Sequence, residues 1–109
     1  MKKFDLTTEW DTYKDCYFVK NTYVHNDGIE LEIWNLEDGP IATLTRYITA
    51  TSSENAAYVD TNNCPWAEKF IKELGIGKAT GNYTRSGFCT YPEYEFDMDK
   101  LREYMSEEE

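Results

Sequence analysis

Histidine is almost missing from this chain: His25 is the only one in 109 residues. A Cys–His nucleophilic pair would have to use it, yet it sits in His25-Asn26-Asp27-Gly28, a stretch that reads as a turn. No Gly-rich phosphate loop, no G-x-S-x-G and no H-E-x-x-H occurs. The cysteines, Cys16, Cys64 and Cys89, are odd in number and form no C-x-x-C, which argues against a disulfide framework and against four-ligand zinc. Long apolar runs are lacking too, and none approaches the ~20 residues of a membrane span. Met1-Lys2-Lys3 is followed at once by Phe4-Asp5-Leu6, which is not the start of a secretory signal. The expectation is a reduced, cytoplasmic protein with free thiols. Bases are scarce: 11 Lys and Arg stand against 21 Asp and Glu, a formal charge of -10. Direct binding to nucleic acid or to an acidic membrane surface is therefore disfavoured, whereas a basic partner is attracted.

What is present is aromatic. Phe, Trp and Tyr make up 16% of the chain, too much for a disordered acidic segment, and nine of them are Tyr. Residues 16–24 are β-branched and aromatic, as strands prefer. Residues 29–34, Ile-Glu-Leu-Glu-Ile-Trp, alternate with period two, so Glu30 and Glu32 share a wet face. Leu36-Glu37-Asp38-Gly39-Pro40 is a turn, and residues 41–48 read as a third strand of a β-meander. Residues 49–55 are a polar loop and 57–60 a short strand.

A helix follows. Asn63 is placed to cap it and Pro65 to sit in its first turn. Trp66, Ala67, Phe70, Ile71 and Leu74 make one face, and Gly75 ends it. Residues 76–96 read as loop and irregular strand, with strand character near Tyr83 and over 94–96. Asp97 caps a final helix with a Met98, Leu101, Tyr104, Met105 stripe. The fold class expected is α+β: an antiparallel β-meander sheet packed against one amphipathic helix, with a short C-terminal helix. One domain spans residues 1–109, and 106–109 form a frayed acidic tail.

Three features invite a functional reading beside a structural one. Cys64 at a helix start would have a lowered thiol pKa, but the same residues make a helix entry with a small buried side chain, the heavier reading. Ser86-Gly87-Phe88-Cys89-Thr90-Tyr91-Pro92 either presents Phe88 and Tyr91 or folds them into the core. Glu30 with Glu32 could hold a divalent metal, though a solvated strand face places charge there anyway. Residues 93–109 carry eight carboxylates against Lys100 and Arg102. Interleaved with Tyr91, Tyr94 and Tyr104, these carboxylates could imitate phosphates beside bases; the plainer alternative is a solvated helix face.

The segments Glu37-Asp38-Gly39-Pro40-Ile41-Ala42-Thr43-Leu44-Thr45, Tyr58-Val59-Asp60-Thr61-Asn62-Asn63-Cys64-Pro65-Trp66 and Ser86-Gly87-Phe88-Cys89-Thr90-Tyr91-Pro92 resemble an uncharacterised family of small proteins. That family is carried by conjugative elements, plasmids and phages of Gram-positive bacteria, and the resemblance covers roughly residues 15–97. Some members of such families are type II anti-CRISPR proteins. The resemblance therefore implies a Cas9 inhibitor in the bacterial host cell that blocks guide-RNA loading or nucleic-acid binding. The alternative is an accessory interaction protein of a mobile element with another partner. Cas9 holds nucleic acid in a positively charged channel, which an acidic protein could occupy. The contact residues expected are Glu93, Glu95, Asp97, Asp99 and Glu103, with Glu30, Glu32, Tyr91 and Tyr94. No catalytic activity, metal or cofactor is expected, and the oligomeric state is open.

Overall fold

A computed structural model describes residues 1–22 and 28–105, so the turn expected at 25–28 lies outside the described residues except for Gly28, as does the tail at 106–109. The fold is α+β. Among the described residues, eight strands form two antiparallel sheets of four, ordered β1-β2-β3-β4 and β5-β6-β8-β7. The first sheet holds β1 (Phe4–Thr7), β2 (Thr12–Thr22), β3 (Ile29–Asn35) and β4 (Gly39–Thr43). The second holds β5 (Thr45–Arg46), β6 (Ala56–Val59), β7 (Gly77–Ser86) and β8 (Cys89–Phe96). Helix α1 (Ala67–Leu74) links β6 to β7, and α2 (Met98–Glu103) follows β8.

The meander is there, and β3 alternates buried and half-buried side chains along its whole length. An additional strand, β1, flanks it, because Phe4-Asp5-Leu6 carries the same alternation: Phe4 and Leu6 are buried and Asp5 is exposed. The third expected strand is divided. Leu44 turns the chain from β4 in one sheet to β5 in the other, and its N–H reaches Leu31 O at 2.8 Å. Thr45 fastens that corner, its hydroxyl accepting from Leu31 N and donating to Ile29 O, both at 3.0 Å.

Helix α1 starts later than Asn63 suggested. Asn63 does not cap it, and Trp66 holds the N-cap position with no side-chain cap bond. Asp60 organises the entry instead, accepting from Asn63 N at 3.1 Å and from Asn63 Nδ2 at 2.8 Å. A carboxylate at the head of the turn can take both donors, whereas the Asn63 amide is turned back towards it. Gly75 ends the helix at φ +75°, its N–H on Ile71 O at 2.9 Å. That left-handed backbone disfavours any residue with a Cβ.

The strand character expected near Tyr83 and over 94–96 is there, but the loop expected around it is not: the stretch forms the β7–β8 hairpin, turned by Gly87 and Phe88. Glycine and proline in this stretch concealed two long strands whose pairing with each other and with β6 overrides weak local propensity. Between the pairs Ala79–Tyr94 and Tyr83–Pro92, three residues of β7 stand against Glu93 alone. Gly81, at φ +93°, makes that bulge possible.

One apolar cluster draws on both sheets and both helices. Ala67 and Ile71 of α1 are buried in it, with Trp66, Phe70 and Leu74 packed alongside. Phe4 lies 4.7 Å from Phe18, 5.3 Å from Phe70 and 5.7 Å from Tyr104 between ring centres, joining β1, β2, α1 and the end of α2. Asp97 caps α2 by accepting from Lys100 N at 3.1 Å. Tyr104 O accepts from Phe18 N at 2.9 Å, so the segment after β8 closes one side of the core.

Candidate functional site

The expected contact residues do not form one surface. Glu93 is 1% exposed, and Tyr91 and Tyr94 are buried as well, so none of the three can offer its side chain to a partner. Residues 91–94 of β8 are covered on both faces, between β6 and β7 and under the 49–55 loop. The Tyr94 hydroxyl donates to Glu68 Oε1 at 2.6 Å; burial first and then that carboxylate push the phenol pKa up. Tyr91 lies under Arg46, whose guanidinium is 5.8 Å from the ring centre. Phe88 is fully exposed at the hairpin tip, so the two aromatics of that segment part company, one in solvent and one in the core.

Glu93 is a structural node. Its Oε2 accepts from Ser52 N at 2.7 Å. Its Oε1 accepts from Ser52 Oγ at 2.9 Å, Thr80 Oγ1 at 2.7 Å and Asn82 Nδ2 at 3.0 Å. Burial alone would push the carboxyl up, but the Ser52 N–H, then Asn82, Thr80 and the Ser52 hydroxyl outweigh it and hold it at about 2. The bulge in β7 thus curls Thr80 and Asn82 around one carboxylate, which also pins the loop at Ser52. That loop walls a cleft of about 340 Å³ whose lining includes Ile29, Ala56 and Ala57.

Glu95, Asp97, Asp99 and Glu103 are exposed. Asp99 pairs with Arg102 at 2.6 Å and Glu103 with Lys2 at 3.0 Å. Lys78 stands opposite Glu95 in the sheet, and Asp97 is committed to its cap. Two of these carboxylates, Asp99 and Glu103, are thus held in ion pairs, and one of the bases, Lys2, is remote in sequence. Glu30 and Glu32 lie half-buried on the outward face of β3, a strand of the first sheet, and Glu32 accepts from Trp34 Nε1 at 2.8 Å. Among the described residues no three His, Cys, Asp or Glu side chains gather as a metal site.

A different acidic surface was missed. Antiparallel order brings the β1–β2 turn (8–11) and the β3–β4 turn (36–38) to the same end of the first sheet. Asn35 Nδ2 ties the β3–β4 turn to the start of β2, donating to Lys14 O at 3.3 Å and to Asp38 Oδ2 at 3.2 Å. Glu9, Asp11, Asp15, Glu37 and Asp38 are exposed there, and among the described residues none of them forms an ion pair. Lys14, the one base in these turns and the start of β2, is held by Asp5 at 3.3 Å. Asp5, Asp15 and Asp38 all act on Cys16: burial foremost, and then these carboxylates, push its thiol up to about 11. Two large apolar side chains, Trp10 and Leu36, stand in the same turns, each 85% exposed. The pattern Glu9-Trp10-Asp11 and Leu36-Glu37-Asp38 was the available signal, an apolar residue beside two acids in each turn.

Cys64 is not activated. It precedes the helix, its sulfur lies 3.6 Å from Thr43 O, and burial, followed by Asp60 and Glu9, pushes the thiol up to about 11. No helix among the described residues is long and apolar enough to cross a membrane. A family model described as a domain of unknown function, DUF4313, matches residues 18–108. No curated protein and no solved structure matches the chain.

Proposed function

We propose, from the premise that this chain belongs to the DUF4313 family, that it is a binding module, not an enzyme, acting in the cytoplasm of a bacterial host. It occupies a basic, nucleic-acid-binding surface of a protein partner and excludes the nucleic acid. The observation that carries this reading is the cluster of five exposed carboxylates without ion pairs at one end of the first sheet. Cas9 is the partner that the resemblance implies, and its cationic channel has the required sign. The steered encounter should be fast and should weaken with salt.

The test is target cleavage by Cas9 with this protein added before or after the guide RNA. Inhibition that is stronger when the protein is added first is the expected result. Full cleavage in both orders removes Cas9 as the partner. The second reading, an accessory protein of a mobile element with a different partner, is favoured by Trp10 and Leu36, because exposed apolar anchors beside the acids serve other basic protein grooves as well as that of Cas9. Crosslinking through those turns in host cells, followed by identification of the attached protein, separates the two.

A further inference from the structure

Trp10 and Leu36 are unusual for their positions. Turn tips are normally polar, and each of these side chains exposes 85% of its surface where a hydrophilic residue would fit without strain. Neither turn is loose. Thr8 N donates to Asp11 O at 2.9 Å, and Thr8 Oγ1 accepts from Trp10 N at 3.1 Å and Asp11 N at 3.3 Å. In the other turn Asp38 N donates to Asn35 Oδ1 at 2.6 Å. The apolar groups are thus held out by a fixed backbone, which lowers the ordering penalty on association. A shallow groove beside Trp10 is bordered by Tyr13, Ile41 and Trp66, so the indole stands at the rim of further apolar surface.

We propose that these two turns form the docking surface, with Trp10 and Leu36 as its anchors and a groove for single-stranded nucleic acid on a protein as its partner. Charge complementarity and the aromatic anchor select that partner. Grooves for single strands combine Lys and Arg along the backbone path with aromatic platforms for the bases. Glu9-Trp10-Asp11 sets an indole between two carboxylates, as a nucleotide sets a base between two phosphates. Leu36 with Glu37 and Asp38 extends the same arrangement to the neighbouring turn. The inference rests on the reading of the chain as a binding module, and it names the surface and the chemistry of the partner.

The experiment is nuclear magnetic resonance of the full chain, titrated with a synthetic peptide that alternates arginine and tyrosine. The Trp10 indole N–H and the amides of residues 9–11 and 36–38 should shift saturably, and added oligothymidylate should reverse the shifts by capturing the peptide. The double variant W10A/L36A should bind the peptide at least about tenfold more weakly, the loss expected of anchor residues, with an unchanged melting temperature. Shifts confined to residues 95–103, no saturable shifts at all, or equal affinity of the double variant would overturn the inference. The Cas9 assay keeps the two claims apart. Inhibition retained by W10A/L36A sinks the surface and leaves the functional reading. Peptide binding mapped to the turns without Cas9 inhibition keeps the surface and removes Cas9 as the partner.

Discussion

Along β8 and α2 the carboxylates answer to groups of their own chain: Glu93 to Ser52, Thr80 and Asn82, Asp97 to a backbone N–H, Asp99 to Arg102 and Glu103 to Lys2. At the Trp10 and Leu36 end of the first sheet, five exposed carboxylates form no ion pair among the described residues. The first region has the denser acidic sequence and the second more carboxylates without an ion pair. A count of acids along the chain measures composition; the field depends on which bases the fold delivers, and Lys2 reaches Glu103 from the opposite terminus.

The comparison breaks most sharply at Glu93. Replacing it with Ala strips the acceptor from four hydrogen bonds, three to side chains and one to a backbone N–H. The expected loss of folding stability is about 3 kcal/mol, the scale for charged hydrogen bonds left unmade. Denaturant unfolding measures it, and a loss below about 1 kcal/mol would mean that Glu93 is not a node.

The same carboxylate gives the fold an acid dependence. Its pKa lies near 2 when folded and near the ordinary 4.5 when unfolded. The folded value is the lower one, so the stabilisation is complete above pH 4.5 and drains away as pH falls from 4.5 towards 2. A loss on the order of 2–3 kcal/mol over that window is expected, and Glu93→Gln should flatten it. An unaltered acid limb in that variant would assign the effect to other groups.

Smaller effects sharpen the contrast. Asp97→Ala should lower stability by about 1 kcal/mol through loss of the α2 cap, read as a shift in the denaturant midpoint. Charge reversal at Glu9 and Glu37 should leave stability within about 0.5 kcal/mol, as expected of exposed side chains without ion pairs. The same reversal should slow association with a basic partner and reduce its salt dependence, which stopped-flow mixing resolves. Reversal at Glu95 should do neither.

Much of the fold was legible because period-two alternation survives in β3 and the helix face at 66–74 is unambiguous. Asp97 as a cap and Gly75 as a stop were equally readable, since each acts through its own backbone neighbours. The β7–β8 hairpin was legible only near Tyr83 and over 94–96, because Gly77, Gly81, Gly87 and Pro92 each carry a loop signal, and only the partner strands cancel it. Thr80-Gly81-Asn82 did hold a sign, since a lone glycine within a strand pattern often marks a bulge. The site was less legible still. Burial of Glu93 depends on a loop 41 residues away in sequence, and the placing of the Trp10 and Leu36 turns at one end of the sheet depends on strand order, which no local pattern encodes.

The bulge in β7 has a consequence beyond holding Glu93. This strand lies at the border of the second sheet, with a strand neighbour on one side alone among the described residues. Ten residues of straight ribbon would be a template on which a neighbouring molecule could grow by backbone pairing, strand upon strand. The kink at Gly81 cuts the ribbon into two short runs, so the residues that cradle a buried carboxylate also guard the protein against fibre-like stacking.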